Sequence, residues 1–355
     1  MTSRNMKSGL KARKVGAWLS GKGPQADIVI SSRIRLARNV AGVSFLPKAS
    51  PQEQKELVSS INRALAEALI SNGRGVVNVE DLSPLEAQFL LERHLISADF
   101  LKSKGPRGFF ATEDETFSLM INEEDHLRLQ VLASGLSLKE AFKRTSEIEE
   151  RLNSALPFAY SERYGFLTAC PTNVGTGMRA SILIHVPGVV VTREIDRVLR
   201  GVLQLGLSVR GTYGEGTETK GHIFQISNQR TLGQSEEEIV ETLIRMTEQL
   251  IRYERDAREY LSTKMDTYIE DKIMRSFGIL RYARTLTSEE ALNLLSALRL
   301  GLGSLKGLDA AKINKLMILT RPANLQFFFD EELSPEQRDR KRAELIREAL
   351  KDVEA

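Results

Sequence analysis

The chain has 355 residues, of which 41% are hydrophobic and 27% are charged, and its formal net charge is +3. This length allows one large domain or two ordinary ones, each with its own core, and the charge balance is too mild to indicate direct nucleic-acid binding. One cysteine, Cys170, excludes an intramolecular disulfide and a multi-cysteine metal site, and it fits a reducing compartment. No apolar run reaches the roughly 18 residues of a membrane span, so we expect a cytoplasmic protein.

The N-terminal segment, residues 1–26, is basic. Its first twenty residues carry five cations and no acid, which faintly resembles an organelle transit peptide. We favour a short basic amphipathic helix, with Trp18 and Leu19 packed against the body of the protein. A turn at residues 21–24 then leads into the first strand.

Arginines alternate along the extended segment that follows. Residues 27–32 predict a strand that runs on into Arg33 and Arg35. Because alternate residues of a strand point the same way, these two arginines could form a fork for anionic oxygens. A solvent-exposed strand face gives the same pattern.

Apolar residues at helical or alternating spacing predict the other elements. In the first 230 residues the predicted helices are 51–72, 84–95, 137–153 and 193–205. The further predicted strands are 109–112, 116–121, 127–131, 163–169, 181–186, 207–210 and 222–227. From the residues alone, His94, near the end of the second helix, is a capping or packing residue rather than a ligand.

An acidic segment, residues 122–128, follows the strand that ends at Ile121. It holds three acids, including Glu124, together with a histidine and Arg128. Such a cluster is costly at the end of an apolar strand unless it faces solvent or a polar site. An exposed acidic turn is the ordinary interpretation, but strand-like alternation resumes at Leu127, which is unusual for a simple loop.

A cysteine segment, residues 170–179, contains a proline and two glycines and ends in Arg179. Pro171 fixes one backbone angle, and the glycines permit a ligand to approach the main chain closely. The segment is predicted to connect two buried strands. Cys170 is either a small buried apolar residue or a functional thiol.

A loop at residues 211–221 is rich in glycine and hydroxyl groups, so its amides are accessible, as a phosphate or lid site requires. It is not a Walker loop.

After Ser235 every segment is predicted helical: 236–261, 264–277, 288–300, 310–319 and 335–350. We therefore predict a mixed catalytic domain at 27–256 and a helical domain at 257–355.

Five arginines each follow or end a predicted strand: Arg33, Arg35, Arg128, Arg179 and Arg210. Permanently charged planar forks in this number suit a polyphosphate and the charge that develops in phosphoryl transfer. With Glu124, Glu215 and a thiol, they offer what phosphorylation of a guanidinium needs. The carboxylates can orient that cation and take its proton, and a thiolate can hold the remaining charge.

Four motifs, residues 31–35, 122–128, 170–176 and 210–215, occur in the order found in the phosphagen (guanidino) kinases. The resemblance covers about residues 27–251 and implies an α+β fold, an antiparallel sheet flanked by helices. It implies catalytic roles for Glu124, Glu215 and Cys170, with ATP and Mg²⁺ as cofactors and no metal bound by the protein alone. The implied nucleotide contacts are Ser31, Ser32, Arg33, Ile34, Arg35, His94, Arg128, Arg179, Ala180, Ser181, Ile182, Leu183, Arg210, Gly211, Thr212, Tyr213 and Gly214.

The helical domain separates this chain from most phosphagen kinases, which carry a helical domain ahead of the first arginine motif. Here 32 residues precede Arg33 and the helical domain follows instead. That arrangement resembles the bacterial McsB protein arginine kinases. It implies an acceptor site open to side chains on proteins.

The McsB resemblance also implies partners. These are protein substrates with accessible arginines that are marked for the Clp protease, a CtsR-like heat-shock repressor, an McsA-like activator and a second copy in a homodimer. It implies an allosteric phosphoarginine site at Arg338, Asp339, Arg342 and Ala343, where a solvated basic helix face is the plainer interpretation. Two other functions stay open: a kinase for a small free guanidino compound, and an adaptor that binds phosphoarginine or a repressor.

Overall fold

The computed structural model describes residues 6–70, 74–211 and 220–354. In these ranges the strands are β1 Val29–Arg38, β2 Val77–Asn78, β3 Gly108–Ala111, β4 Phe117–Ile121, β5 Leu127–Ser134, β6 Tyr160–Ser161, β7 Gly165–Phe166, β8 Met178–His185, β9 Leu207–Gly211 and β10 Ile223–Asn228. The α-helices are α1 Pro51–Glu67, α2 Pro84–Glu92, α3 Ala98–Lys102, α4 Leu138–Ala155, α5 Pro187–Val191, α6 Ile195–Gln204, α7 Glu236–Lys264, α8 Asp266–Tyr282, α9 Ser288–Leu300, α10 Ala310–Leu319, α11 Pro322–Phe329 and α12 Pro335–Ala349.

Eight strands form one antiparallel sheet in the order β2-β3-β4-β5-β1-β8-β10-β9. Strand β1 lies inside this sheet, between β5 and β8. Its register places Arg35 opposite Arg179 on one side and Ala37 opposite Arg128 on the other. Three segments that are far apart in the chain are thereby brought together. The predicted α+β class, with an antiparallel sheet and flanking helices, is confirmed.

The two faces of the sheet differ in polarity. On one face Ile34, Ala180 and Ile182 are buried in a core that is closed by apolar residues of α1, α4, α6 and α7. Capping boxes start two of these helices, where Ser50 and Ser235 accept the amide three residues on and the glutamate there bonds back. The opposite face carries the arginines of β1 and β8, because the side chains of a strand alternate.

The helices after β10 share a second core with the N-terminal segment. Met6, Leu10 and Trp18 are buried there beside residues of α2 and α8 to α12. Arg299, on α9, is fully buried and donates to the carbonyl oxygens of Ala26 and Asp27 at 2.6 and 3.1 Å. The expectation that only helices follow the last strand is confirmed for the described residues up to 354.

Two predicted elements differ from the structure. Residues 6–16 form turns rather than an amphipathic helix, and only the 3₁₀ turn Ala17–Leu19 follows; the burial of Trp18 and Leu19 is confirmed. Gly9, with a φ of +65°, breaks a helix here, and the backbone bonds to other elements instead.

The strand predicted at 163–169 is also wrong, since β7 has two residues and pairs with the equally short β6 in a separate two-stranded sheet. Gly165, at a φ of +74°, turns the chain there. Residue 257, the predicted domain boundary, lies inside the unbroken 29-residue helix α7, and the three-part division stays a prediction. In the described ranges no helix has the length and apolarity needed to cross a membrane.

Candidate active site

A cleft of about 460 Å³ opens over the polar face of the sheet. Its lining brings together most of the residues that the sequence singled out, from β1, β5, β8, β9, the acidic segment, the cysteine segment and the turn after α2. They are Arg33, Arg35, Arg128, Arg179, Arg210, Gly211, Glu124, Cys170 and His94. We call the five arginines the arginine cluster.

Neutral side chains hold two members of the arginine cluster, Arg33 and Arg179, in place. Arg33 donates from Nη2 to Oε1 of Gln225 at 2.7 Å and from Nε to the hydroxyl of Ser181 at 3.1 Å. Arg179 donates in the same way to the hydroxyls of Ser227 and Ser208, at 3.2 Å each. These partners fix the direction of each guanidinium without neutralising its charge.

Burial and mutual repulsion destabilise the charged form of three members of this cluster, Arg33, Arg35 and Arg179. Burial, followed by the charges of Arg128 and Arg179, lowers the pKa of Arg33 from 12.5 to about 9. Burial also lowers the pKa of Arg179 and takes that of Arg35 well below its usual value. Nε of Arg35 is buried and makes no hydrogen bond to any other described residue. Crowded, desolvated cations of this kind make a binding site for a polyanion, which would relieve their repulsion.

The acidic segment places its first two glutamates in different surroundings. Glu123 forms an ion pair of 2.5 Å with Arg128 and accepts a 2.5 Å hydrogen bond from the hydroxyl of Ser97. Glu124 is exposed in the cleft, where Oε2 accepts a 3.2 Å hydrogen bond from the side chain of Asn173. Glu123 therefore orients an arginine, whereas the carboxylate of Glu124 faces the space in front of the cysteine segment.

A buried clasp joins the acidic segment to the cysteine segment. Oδ1 of Asp125 accepts from Nδ2 of Asn39 and from the amide of Ala169, each at 2.6 Å. Oδ1 of Asn39 accepts from the amide of His126 at 2.9 Å, and the imidazole Nδ1 of His126 accepts from the amide of Val40 at 3.0 Å. Since these groups are buried and mutually satisfied, the clasp fixes Glu124 relative to Cys170.

Cys170 is half-buried and lines the cleft, so it is not the core residue that one interpretation allowed. It precedes the 3₁₀ turn Pro171–Asn173, and its Sγ lies 3.0 Å from the hydroxyl of Thr172. The carbonyl of Cys170 accepts a 2.7 Å hydrogen bond from Thr168. The thiol is thus presented on the same side of the cleft as Asn173 and Glu124.

His94 forms part of the opposite wall. It follows α2 with a φ of +58°, and its carbonyl accepts a 2.8 Å hydrogen bond from Nε2 of Gln130. The ring packs edge-on to Trp18 at 6.0 Å. Burial, followed by the charges of Arg321 and Arg33, lowers its pKa from 6.5 to about 3, so the imidazole is neutral at pH 7.

Some predicted nucleotide contacts lie away from the cleft. The side chains of Ile34, Ala180 and Ile182 are in the core on the other face of the sheet, and the hydroxyl of Ser32 donates to Gly135. Three further predicted contacts line a small cavity beside the cleft: Ser31, Ser181 and Leu183. Trp18 and His94 line the same cavity. The remaining predicted residues, Thr212, Tyr213, Gly214 and Glu215, lie outside the described ranges.

The predicted second site lies on α12. Arg342 is buried and donates to Oδ1 of Asp339 at 2.5 Å, to the carbonyl of Leu286 at 2.7 Å and to that of Thr320 at 2.8 Å. Ala343 is buried beside it, and Arg338 donates to the carbonyl of Leu333 at 3.0 Å. The side chain of Asp339 is partly exposed to solvent and also contacts the buried guanidinium of Arg342.

Sequence reasoning missed the residues that orient the arginine cluster: Ser97, Glu123, Gln130, Ser208, Gln225 and Ser227. Alternation offers one signal, because Gln225 and Ser227 occupy alternate positions of β10 and share the face of Arg179. Which arginine each one meets depends on the pairing of strands, and no local pattern reveals that.

Comparison with known proteins identifies the family. Residues 56–257 match the family described as ATP:guanido phosphotransferase, C-terminal catalytic domain, and residues 266–355 match the protein-arginine kinase McsB C-terminal domain. A protein-arginine kinase of Moorella thermoacetica is 45% identical over 346 residues, covering 96% of this chain and 99% of the relative. A protein-arginine kinase of Geobacillus stearothermophilus is 47% identical over 341 residues, covering 95% of this chain and 94% of the relative. The chain belongs to the protein-arginine kinase family.

Solved structures agree with this assignment. Lombricine kinase superposes with a TM-score of 0.55 at 26% identity, covering 69% of this chain and 72% of that one. A duplicated taurocyamine kinase from Schistosoma mansoni, solved with transition-state analogue components, has a TM-score of 0.59 at 29% identity and covers 66% of this chain and 34% of its own. This member of the family is therefore an ATP-dependent phosphotransferase with a phosphagen-kinase-like sheet, and the resemblance inferred from the four motifs is confirmed.

Proposed function

We propose that the cleft binds the phosphates of ATP on the arginine cluster and the guanidinium of a protein arginine against Glu124 and Cys170. One observation carries the proposal. Five arginines, of which Arg33, Arg35 and Arg179 are desolvated by burial, share a cleft with an exposed carboxylate and a half-buried thiol. An anion and a cation can therefore bind side by side, as transfer between ATP and a guanidinium requires.

The transfer would proceed in one displacement. A guanidinium nitrogen of the substrate bonds to the γ-phosphorus while the bond from that phosphorus to the β–γ bridging oxygen breaks and releases ADP. The proton that the nitrogen loses passes to a carboxylate, for which Glu124 is the first candidate and Glu215 is the second. The arginine cluster stabilises the charge on the phosphoryl oxygens in flight, and Cys170 orients the guanidinium from its other side.

Mg²⁺ fits this cleft as a companion of the nucleotide. Among the described residues no group of three His, Cys, Asp or Glu side chains is placed to hold a metal ion. In phosphoryl-transfer sites Mg²⁺ is held chiefly by phosphate oxygens and water, with one or two carboxylates, and it offsets their charge. Glu123 and Glu124 line the cleft and would serve in that way.

The biological role follows from the McsB resemblance. We propose that the enzyme acts in the cytoplasm, marks proteins for the Clp protease, phosphorylates a CtsR-like heat-shock repressor and responds to an McsA-like activator. We also propose a homodimer. Exposed tyrosines on α7 and α8, among them Tyr260, Tyr268 and Tyr282, support a contact there because large apolar side chains at the surface commonly mark interfaces. Light scattering on the purified chain tests the dimer.

A phosphoarginine site on α12 is proposed as well. Asp339 could pair with the guanidinium part of the ligand while Arg338 or Arg342 contacts its phosphate. Arg342 already touches Asp339 and two backbone carbonyls, so a bound ligand would change the contacts of a buried cation. The site would thus report on the product of the reaction.

A small guanidino compound is the alternative acceptor. The names of two structural neighbours, taurocyamine kinase and lombricine kinase, favour it. The match of 45% identity to a protein-arginine kinase over nearly the whole chain, together with the separate match of residues 266–355, favours a protein. An adaptor without catalysis is disfavoured by the intact cleft.

The experiment compares acceptors under identical conditions. The enzyme and MgATP are incubated with an arginine-containing unfolded protein, with the same protein after arginine-to-lysine replacement, and with free arginine, taurocyamine or lombricine. We expect phosphoryl adducts on the first protein alone. Turnover of a free compound with none on protein would establish the alternative, and no turnover of any acceptor in the presence of nucleotide binding would support the adaptor.

A further inference from the structure

A buried polar cluster lies behind the His94 wall of the cleft, at the end of α2. The carboxylate of Glu92, which is 2% exposed, accepts from the amide of Ala323 at 3.1 Å, and from the amide and the side-chain Nδ2 of Asn324 at 3.0 and 2.8 Å. Those two amides belong to the first turn of α11. An anionic side chain there satisfies helix amides that would otherwise lack partners and interacts favourably with the positive end of the helix dipole.

Arg93 extends the same cluster in three directions. Its Nε donates to Oδ1 of Asn324 at 2.7 Å, its Nη2 donates to the carbonyl of Ala12 at 2.9 Å, and its Nη1 forms an ion pair with Glu115. Burial lowers the pKa of Arg93 and raises that of Glu115. Buried charges of this kind are tolerated only while every partner stays in place, so the cluster holds α2, α11 and the N-terminal segment in one arrangement.

The next residue along the chain, His94, is in the cleft. Its carbonyl accepts from Gln130, whose Oε1 lies 3.5 Å from Nη1 of Arg33. The chain then contributes Ile96 and Ser97 to the same wall. The wall beside Arg33 is therefore fixed from behind by α11, a helix of the region matched separately at residues 266–355.

We infer that Glu92 and Asn324 are positioning residues for nucleotide binding: the C-terminal helical region sets the position of the His94 wall and hence the direction of Arg33. This inference rests on the proposed placement of the ATP phosphates on the arginine cluster. According to this inference, Asn324 affects nucleotide affinity although it lies outside the cleft and outside the matched phosphotransferase domain. Any rearrangement of the helical region would reach the active site by this contact.

The effect should be confined to one side of the reaction. Glu124 and Cys170 are held by a different set of bonds, the buried clasp between Asn39 and Asp125. Among the described residues, no hydrogen bond or ion pair joins that clasp to Glu92 or Asn324. A disturbance of the α2–α11 contact should therefore weaken nucleotide binding and leave the Michaelis constant for the protein acceptor unchanged.

The test replaces Asn324 by aspartate. In Asn324→Asp a second carboxylate faces Glu92 where an amide donated at 2.8 Å, while the acceptor for Arg93 is kept. The double variant Glu92→Gln with Asn324→Asp restores a donor–acceptor pair and the net charge. Glu92→Gln alone is a neutral replacement of nearly the same shape, and it probes the same contact with little risk to folding.

Asn314→Asp is the matched control. Asn314 is 1% exposed, lies on α10 of the same region and accepts from the buried Arg299 at 3.2 Å. Arg299 donates to the carbonyl oxygens of Ala26 and Asp27, which precede β1, and these contacts lie away from the cleft. This control reports the general cost of a carboxylate buried in the helical region.

Calorimetry with ADP and initial rates at varied ATP give the result. We expect Asn324→Asp and Glu92→Gln to weaken nucleotide binding between about twofold and thirtyfold, with an unchanged turnover number at saturating ATP. The double variant should recover most of the affinity of the unmodified enzyme, and Asn314→Asp should keep it. Equal nucleotide affinity in all variants, or equal loss in Asn324→Asp and Asn314→Asp, would overturn the inference.

Arg179→Ala separates this inference from the proposed function. If Arg179→Ala weakens nucleotide binding and Asn324→Asp does not, the phosphate placement stands and the positioning role fails. If Arg179→Ala leaves nucleotide binding intact, the phosphate placement itself is wrong and the inference falls with it.

Discussion

The side chain of Asn173 donates a 3.2 Å hydrogen bond to Oε2 of Glu124, which joins two motifs that lie 49 residues apart in the sequence. The buried pair of Asn39 and Asp125 reinforces this contact from beneath. Glu124 and Cys170 thereby share one side of the cleft, and the arginine cluster occupies the rest. This separation into an acceptor side and a phosphate side leads to the predictions that follow.

The carboxylate of Glu124 should be required for the chemical step. We expect Glu124→Ala to reduce the initial rate of arginine phosphorylation by about 10²–10⁴-fold, because the acceptor nitrogen must lose a proton. The same loss is predicted for Glu215→Ala. Thermal unfolding should be unchanged in Glu124→Ala, since the side chain is exposed. Glu113→Ala, which removes an exposed partner of Lys11 away from the cleft, is the control, and near-normal rates in both Glu124→Ala and Glu215→Ala would refute the assignment.

Cys170→Ser should impair turnover more than nucleotide binding. The thiol lies beside Thr172 and Asn173 on the acceptor side, whereas Arg179 belongs to the arginine cluster. Calorimetry with ADP should give normal affinity for Cys170→Ser and reduced affinity for Arg179→Ala or Arg210→Ala. The reverse pattern would exchange the two sides of the site.

Asp339→Ala should weaken binding of free phosphoarginine, and any activation by it, while basal phosphorylation persists. Asp339 forms its i,i+3 pair with the buried Arg342, so its loss also removes a partner of that cation. Glu344→Ala is the matched control, because Glu344 forms an i,i+3 pair with Lys341 on the same helix. Initial rates are followed during titration with phosphoarginine, and identical curves for the unmodified enzyme and Asp339→Ala would rule out the site.

His94 should make the fold sensitive to acid. Its pKa is about 3 in the folded chain and about 6.5 when unfolded, so below pH 6.5 the unfolded state binds a proton that the folded state excludes. Stability is therefore fully present above pH 6.5 and falls as the pH drops towards 3, by about 1.4 kcal/mol per pH unit from this group. His94→Gln should show a correspondingly shallower loss in denaturant unfolding between pH 6 and 4.5. Equal slopes for both proteins would contradict the assigned pKa.

Alternation predicted correctly that Arg33 and Arg35 lie on the same face of their strand, because the side-chain period of a strand is a local property. Arg33 and Arg35 point to one face and Ile34 to the other, as residues 33–35 imply. The same rule shows why the motif match at Ile34, Ala180 and Ile182 marks core residues, whose side chains face away from the cleft. A sequence motif shared with a family therefore also includes residues whose side chains pack in the core and do not line the cleft.

The failures have a common physical origin. Residues 6–16 and 163–169 have patterns compatible with a helix and a strand, but their backbone groups bond to distant elements, such as Lys7 to Glu86 and Phe166 to Gly175. The hydrogen-bond partners of the arginines likewise depend on which strands lie next to each other in the sheet. The sequence therefore did not predict Gln225 and Glu123 as residues that orient the arginines. The α2–α11 contact spans more than 230 residues of sequence and leaves no local signal.

Phosphorylation of a protein acceptor tests the central claim most directly. The enzyme is incubated with MgATP and an unfolded arginine-containing protein at neutral pH, and the intact mass of the acceptor is followed beside that of its arginine-to-lysine counterpart. The account predicts added phosphoryl groups that map to arginine, are lost in acid, and are absent from the lysine counterpart and from reactions with Glu124→Ala. Phosphoryl groups on serine, threonine or tyrosine instead of arginine, or equal labelling by Glu124→Ala, would contradict it.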